Sequence, residues 1–214
     1  MLKADLHIHS NASFDSSNTP EQIIERCLQI GINCVAIADH GTAEGGLKIK
    51  QIAPFPVIVA EEILTPAGEI MGMFLKETIP TKIPVDEAIR HIKKQDGLVC
   101  IPHPFDTLTR QALGPKVMEE IIDDIDIIEV LNARSPITVR TANALSFAAK
   151  HRKACSAGSD AHTIPEIGNA YVEIPEFNTK EEFLKSLQQG EIHGKKASPL
   201  VHFGSLWARL KKRA

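Results

Sequence analysis

Short apolar runs alternate with amphipathic helical stretches along nearly the whole chain, and this alternation limits the fold more than any other feature. The runs at 2–9, 33–38, 57–60, 69–75, 98–101, 125–130, 153–157 and 170–174 have the character of buried strands. Between them, 19–30, 45–52, 85–95, 115–123, 138–151 and 179–189 carry apolar side chains at helical spacing. The first helix has clear boundaries, with Thr19 as N-cap, Pro20 at the first position, Gln22 to close a capping box and Gly31 past its end. Strands that alternate with helices call for a parallel sheet with crossover connections. About seven such units predict a closed α/β barrel over an open sheet.

At 214 residues, 1–214 is expected to form one domain, since barrels commonly reach this size as a single unit. The chain is 43% hydrophobic with a net charge of −3, the composition of a water-soluble protein. No apolar run approaches the roughly 18 residues a membrane helix needs, and the start has no signal-like segment, so a cytoplasmic location without membrane contact is expected. Cys27, Cys34, Cys100 and Cys155 lack paired spacing and read as small core residues. An aromatic content of 5% argues against stacking on single-stranded nucleic acid.

In a barrel the site lies at the carboxyl ends of the strands. There this sequence places histidine and carboxylate repeatedly: His7, His9, Asp15, His40, Glu62, His103, Glu129, Asp160 and His162. His7 and His9 sit two apart on a strand and share a face, so two imidazoles aim at one point. So many ligands exceed the four of a tetrahedral zinc and suit two or three ions bridged by a carboxylate. Some positions stay open: Asp15 also suits a turn, Glu61 competes with Glu62, and Glu129 also suits a hydrogen bond to a ligand. Asp39 reads as a cap before Gly41, or as a residue orienting a ligand or a water. His91 and His151 fall on helices away from this rim.

Five segments in order, Asp5-Leu6-His7-Ile8-His9-Ser10, Ala38-Asp39-His40, Glu61-Glu62-Ile63, Pro102-His103-Pro104 and Gly158-Ser159-Asp160-Ala161-His162, resemble the motifs of the PHP (polymerase and histidinol phosphatase) superfamily. The resemblance implies a distorted seven-stranded (β/α)7 TIM-like barrel with a site of two or three divalent ions, Zn, Mn or Fe. Carried over residue by residue, it makes His7, His9, Asp15, His40, Glu62, His103, Asp160 and His162 the metal ligands. Many relatives also carry a histidine on or just after the strand that here runs 69–74, where this chain has none, so the third ion is left open.

The activity implied is phosphoester hydrolysis of a small phosphorylated metabolite or nucleotide through a metal-bridged hydroxide. Asp160 and His162 sit at the reacting centre in this reading, and Arg134, just past a strand end, is the candidate phosphate clamp. Two other functions are carried: an oligonucleotide-trimming nuclease and a non-catalytic metal-binding regulatory relative. Nucleic acid ranks below a small phosphorylated substrate as partner. A basic amphipathic tail at about 200–214, with Phe203, Leu206, Trp207 and Leu210 on one stripe, is expected to pack on the barrel, and His193, Lys195 and Lys196 to form a solvated basic loop.

Overall fold

A computed structural model of the protein describes residues 1–106, 112–135 and 138–194. The elements in chain order are β1 (Leu2–Ile8), α1 (Pro20–Ile30), β2 (Cys34–His40), α2 (Glu44–Ile52), β3 (Val57–Thr65), β4 (Gly68–Met73), α3 (Val85–Lys94), β5 (Leu98–Ile101), α4 (Pro115–Glu120), β6 (Ile127–Asn132), α5 (Thr138–His151), β7 (Ala154–Gly158), β8 (Ala170–Ile174), α6 (Lys180–Gln188) and β9 (Glu191–Gly194). The expected tail at 200–214, with Lys195 and Lys196, lies outside the described residues.

One sheet runs in the order β7-β6-β5-β4-β3-β2-β1-β8-β9. It curls almost into a barrel because the end of β7 returns to the end of β1. The Asp160 amide donates to the His7 carbonyl at 2.7 Å, and the His9 amide to the Ala161 carbonyl at 2.9 Å. The α/β barrel class expected from the sequence is therefore present, with two corrections. Among the described residues the sheet has nine strands rather than seven, and it is mixed: β4 pairs antiparallel with both β3 and β5, and β8 pairs antiparallel with β1 and β9. The physical reason is connection length. The turn between Thr65 and Gly68 is too short for a crossover helix, so β4 must fold back as a hairpin. His193, expected in a loop, lies on β9.

Strand parity separates two packing layers. On β2, Cys34, Ala36 and Ala38 face the barrel interior with Ala4, Ala60 and Met71, whereas Val35 and Ile37 pack outward with Ile23, Cys27 and Ile49 of α1 and α2. The same parity carries His40 and, on β3, Glu62 onto the inner rim. β1 needs a further device: Leu2, Ala4 and Leu6 belong to the inner layer but so must His7, and the register with β2 gains one residue between Asp5 and Ile8. That bulge switches parity, turning Ile8 outward and His7 and His9 inward. A second irregularity, between Glu129 and Leu131 on β6, re-aims Asn132 in the same way.

Candidate metal centre

His7, His9, Asp15 and Glu62 are all buried at the inner rim, and their ligand atoms crowd together with those of His40, Asp160 and His162. In a first nest, His7 Nε2 and His9 Nε2 are 3.2 Å apart. Glu62 lies 3.3 Å from His7 and 3.5 Å from His9, and Asp160 Oδ1 lies 3.2 Å from His9. In a second nest, Asp15 Oδ2 is 3.2 Å from His162 Nε2 and 3.5 Å from His40 Nε2, with His9 beside them. His103 Nε2 stands 3.0 Å from Glu62 Oε1 at the far edge of the first nest. The structure thus brings together all eight residues named as ligands from the sequence.

These spacings fit divalent cations. Donor atoms around one ion at about 2.0–2.2 Å stand about 3–3.5 Å apart, close to the separations above. The hydrogen bonds on the far side of each ring strengthen the case. His7 Nδ1 is 2.9 Å from Glu129, and His162 Nδ1 is 2.9 Å from the Asp160 carbonyl. Each of these partners is an acceptor, so Nδ1 carries a proton, and a neutral ring would turn its Nε2 lone pair toward the centre. Lone pairs facing carboxylates in a buried space repel unless a cation lies between them.

Charge points the same way. Burial would lower the His7 and His40 imidazoles, but the surrounding carboxylates, Glu62 foremost, hold both well above their ordinary value. Burial opposes protonation of His103 too, yet Glu62 lifts it to about 9. His9 is pushed down to about 3 by burial and by His162, so it stays neutral. Burial would raise Asp160 and Asp15, but His7 and its neighbours hold the first, and His162 and His40 the second, well below the usual carboxylate range. A site that draws protons onto three imidazoles to balance its carboxylates is one that accepts metal cations in their place.

Asp15 does lie in a turn, but it is fully buried there and pinned by Ser13 Oγ, which donates to it at 2.8 Å, so that its other oxygen faces the cluster. Glu61 points away from the cluster and accepts the Ile79 amide at 2.9 Å. Asp39 takes the Ser10 amide and hydroxyl, both at 2.6 Å, and so fixes the loop that follows His9. Arg134 lies at the rim, its Nε 3.4 Å from Glu166 and its Nη1 3.5 Å from the Asp160 carbonyl. His151 packs on Phe147, away from the site.

Three contributors escaped the sequence reading. Asn132 donates to Glu129 at 3.0 Å and to Asp160 at 3.3 Å, tying β6 to the end of β7. Glu166 accepts the amides of His162 and Thr163 and so orients the last motif. Glu69, at the start of β4, is buried beside His40 and His103. Only Glu166 left a sequence signal, since Thr163-Ile164-Pro165-Glu166 is a capping-box pattern.

Comparison with known proteins agrees with this geometry. Residues 5–96 match the family described as PHP domain, and 141–192 the one described as PHP-associated. An uncharacterized protein of Methanocaldococcus jannaschii is 36% identical over 184 residues, covering 84% of this chain and 73% of its own. A two-domain protein from Bacteroides vulgatus, described as containing a predicted PHP-like metal-dependent phosphoesterase, superposes with a TM-score of 0.67 at 15% identity over 97% of this chain and 69% of that one. An amidohydrolase from Chromobacterium violaceum, whose structure holds sulfate and no metal, gives a TM-score of 0.67 at 16% identity over 89% of this chain and 97% of that one. The chain belongs to the PHP superfamily.

Proposed function

We propose that the protein is a metal-dependent phosphoesterase that hydrolyses a small phosphorylated metabolite or nucleotide. The observation that carries this reading is the convergence of imidazole lone pairs and carboxylates in two adjoining nests that share His9. Divalent ions bound there would polarise a phosphoryl oxygen and lower the pKa of a bound water toward about 7, supplying a nucleophile at neutral pH. His7, His9, Glu62 and Asp160 would hold one ion and Asp15, His40 and His162 the other. Glu129 and the Asp160 carbonyl fix the tautomers of His7 and His162, so that both present Nε2 to the centre. Asp160, held ionised by the neighbouring imidazoles, would act as a ligand rather than as a proton donor.

Arg134 is assigned the phosphate clamp in this proposal. Glu166 anchors one edge of its guanidinium, which leaves the planar group poised at the rim. Arg134→Ala is expected to lower kcat/KM at least tenfold with metal content unchanged, because a charge-assisted hydrogen bond contributes about 1.5–3 kcal/mol. Arg134→Lys should not restore it, since a point charge cannot reproduce a two-pronged contact. A kcat/KM within twofold of wild type in Arg134→Ala would assign phosphate binding to the metals alone.

The reading as a whole is tested by turnover of p-nitrophenyl phosphate, its bis-ester and a short oligonucleotide, with Zn, Mn or Fe added and then with chelator. Chelator-sensitive turnover of a mono- or diester supports the proposal. Preference for the oligonucleotide supports the nuclease instead, and bound metal with no turnover of any of the three supports a regulatory role.

A further inference from the structure

The geometry points to Glu69 as a metal ligand: with Glu62 and His103 it forms a third donor set, two carboxylates and one imidazole, suited to Mn²⁺ or Fe²⁺ over Zn²⁺. The inference rests on the metal-centre reading above and extends it to a residue that neither motif nor strand-end position marks. β4 runs antiparallel to β3, with Glu62 opposite Met71. Glu69 lies two residues before Met71 and so on the same face as Glu62. A reversed strand also delivers its first residues to the rim where parallel strands deliver their last. Glu69 therefore arrives at the centre from the amino end of its strand.

Its two oxygens face two different imidazoles. Oε1 lies 3.3 Å from His40 Nδ1, while Oε2 lies 3.7 Å from His103 Nε2. His40 turns its Nε2 toward Asp15 in the second nest, so the proton on Nδ1 is directed at the Glu62 and Glu69 carboxylates, 3.2 and 3.3 Å away. Oε1 thus orients His40. Oε2 is left to meet His103 Nε2, which also stands 3.0 Å from Glu62 Oε1. These 3.0 and 3.7 Å separations bracket the roughly 3–3.5 Å expected around one ion. Glu69 is 1% exposed, so two carboxylates are held side by side in a buried space, an arrangement that a divalent charge between them relieves. Two oxygens to one nitrogen favour the harder cations.

The test counts bound metal. Wild type, Glu69→Gln, Glu69→Ala and Glu69→His are stripped with chelator, reconstituted with Mn²⁺ alone or Zn²⁺ alone, desalted, and analysed for metal per chain beside circular dichroism. Wild type should hold one Mn²⁺ equivalent more than Glu69→Ala and Glu69→Gln, and Glu69→His should regain an equivalent with its preference moved at least tenfold toward Zn²⁺. The near-isosteric glutamine separates the two roles, because its amide oxygen still accepts the His40 proton. A Glu69→Gln protein that binds as many Mn²⁺ ions as wild type, each within twofold in affinity, overturns the inference and reduces Glu69 to a positioning partner of His40. Failure of the phosphoesterase reading looks different: the Glu69-dependent equivalent is present, but no phosphoester is turned over.

Discussion

Replacing His9 by alanine should reduce phosphoester turnover at least a hundredfold and remove at least one metal equivalent per chain. His9 is the residue common to both nests, with its Nε2 3.2 Å from His7 Nε2 and 3.2 Å from Asp160 Oδ1, and its ring 4.1 Å from that of His162. Loss of a hydrogen-bonding partner behind a ligand typically costs 10–100-fold in metal affinity or activity, and loss of a ligand that also packs against the second nest should cost more. His151→Ala is the control, because His151 lies on α5 against Phe147 and Glu119, away from the ligands. Steady-state turnover and metal content measured together decide the point. A His9→Ala protein with both quantities near wild type would remove the residue from the centre.

Gly158→Ala should damage the centre without altering any ligand. A Cβ at Gly158 would lie 2.3 Å from His7 Cβ, 2.7 Å from His7 N and 3.0 Å from His7 Cα. These are strand atoms, not the end of a flexible side chain, so β7 and β1 must separate where the Asp160 amide bonds the His7 carbonyl. Overpacking of this kind costs about 1–3 kcal/mol, occasionally more, and here it also moves His7 away from Glu129 and Glu62. The expected result is a lower urea midpoint together with a metal content below wild type. An unchanged midpoint with full metal would show that β7 and β1 do not close the sheet in the way described.

The parts of this fold that a sequence can announce are those set by local periodicity. Alternating apolar runs and the Thr19 capping box located β1, β2 and α1 within two residues and the start of β3, and parity along β3 favoured Glu62 over Glu61 for the inner face. What periodicity cannot carry is strand direction. An apolar run such as 170–174 reads the same whether it pairs parallel or antiparallel, and β8 takes the antiparallel place beside Leu2, Lys3 and Ala4. Glu69 was overlooked for the same reason, since polar residues were sought at the carboxyl ends of strands and β4 arrives reversed. Bulges are equally silent: nothing in Asp5-Leu6-His7 declares the extra residue that turns both histidines inward. Asn132 and Asp39 act through hydrogen bonds between distant segments, which leave no local pattern to read.

The central claim is that this rim is a multinuclear metal centre, and elemental analysis of protein purified without chelator tests it most directly. The ligand atoms of His9, Asp15, His40 and His162 form one group and those of His7, His9 and Glu62 another, and with Asp160 and His103 these make eight candidate donors, more than a tetrahedral or an octahedral ion can use. The account predicts at least two equivalents of Zn, Mn or Fe per chain. One equivalent or less, unchanged after reconstitution with each of the three metals, would contradict it.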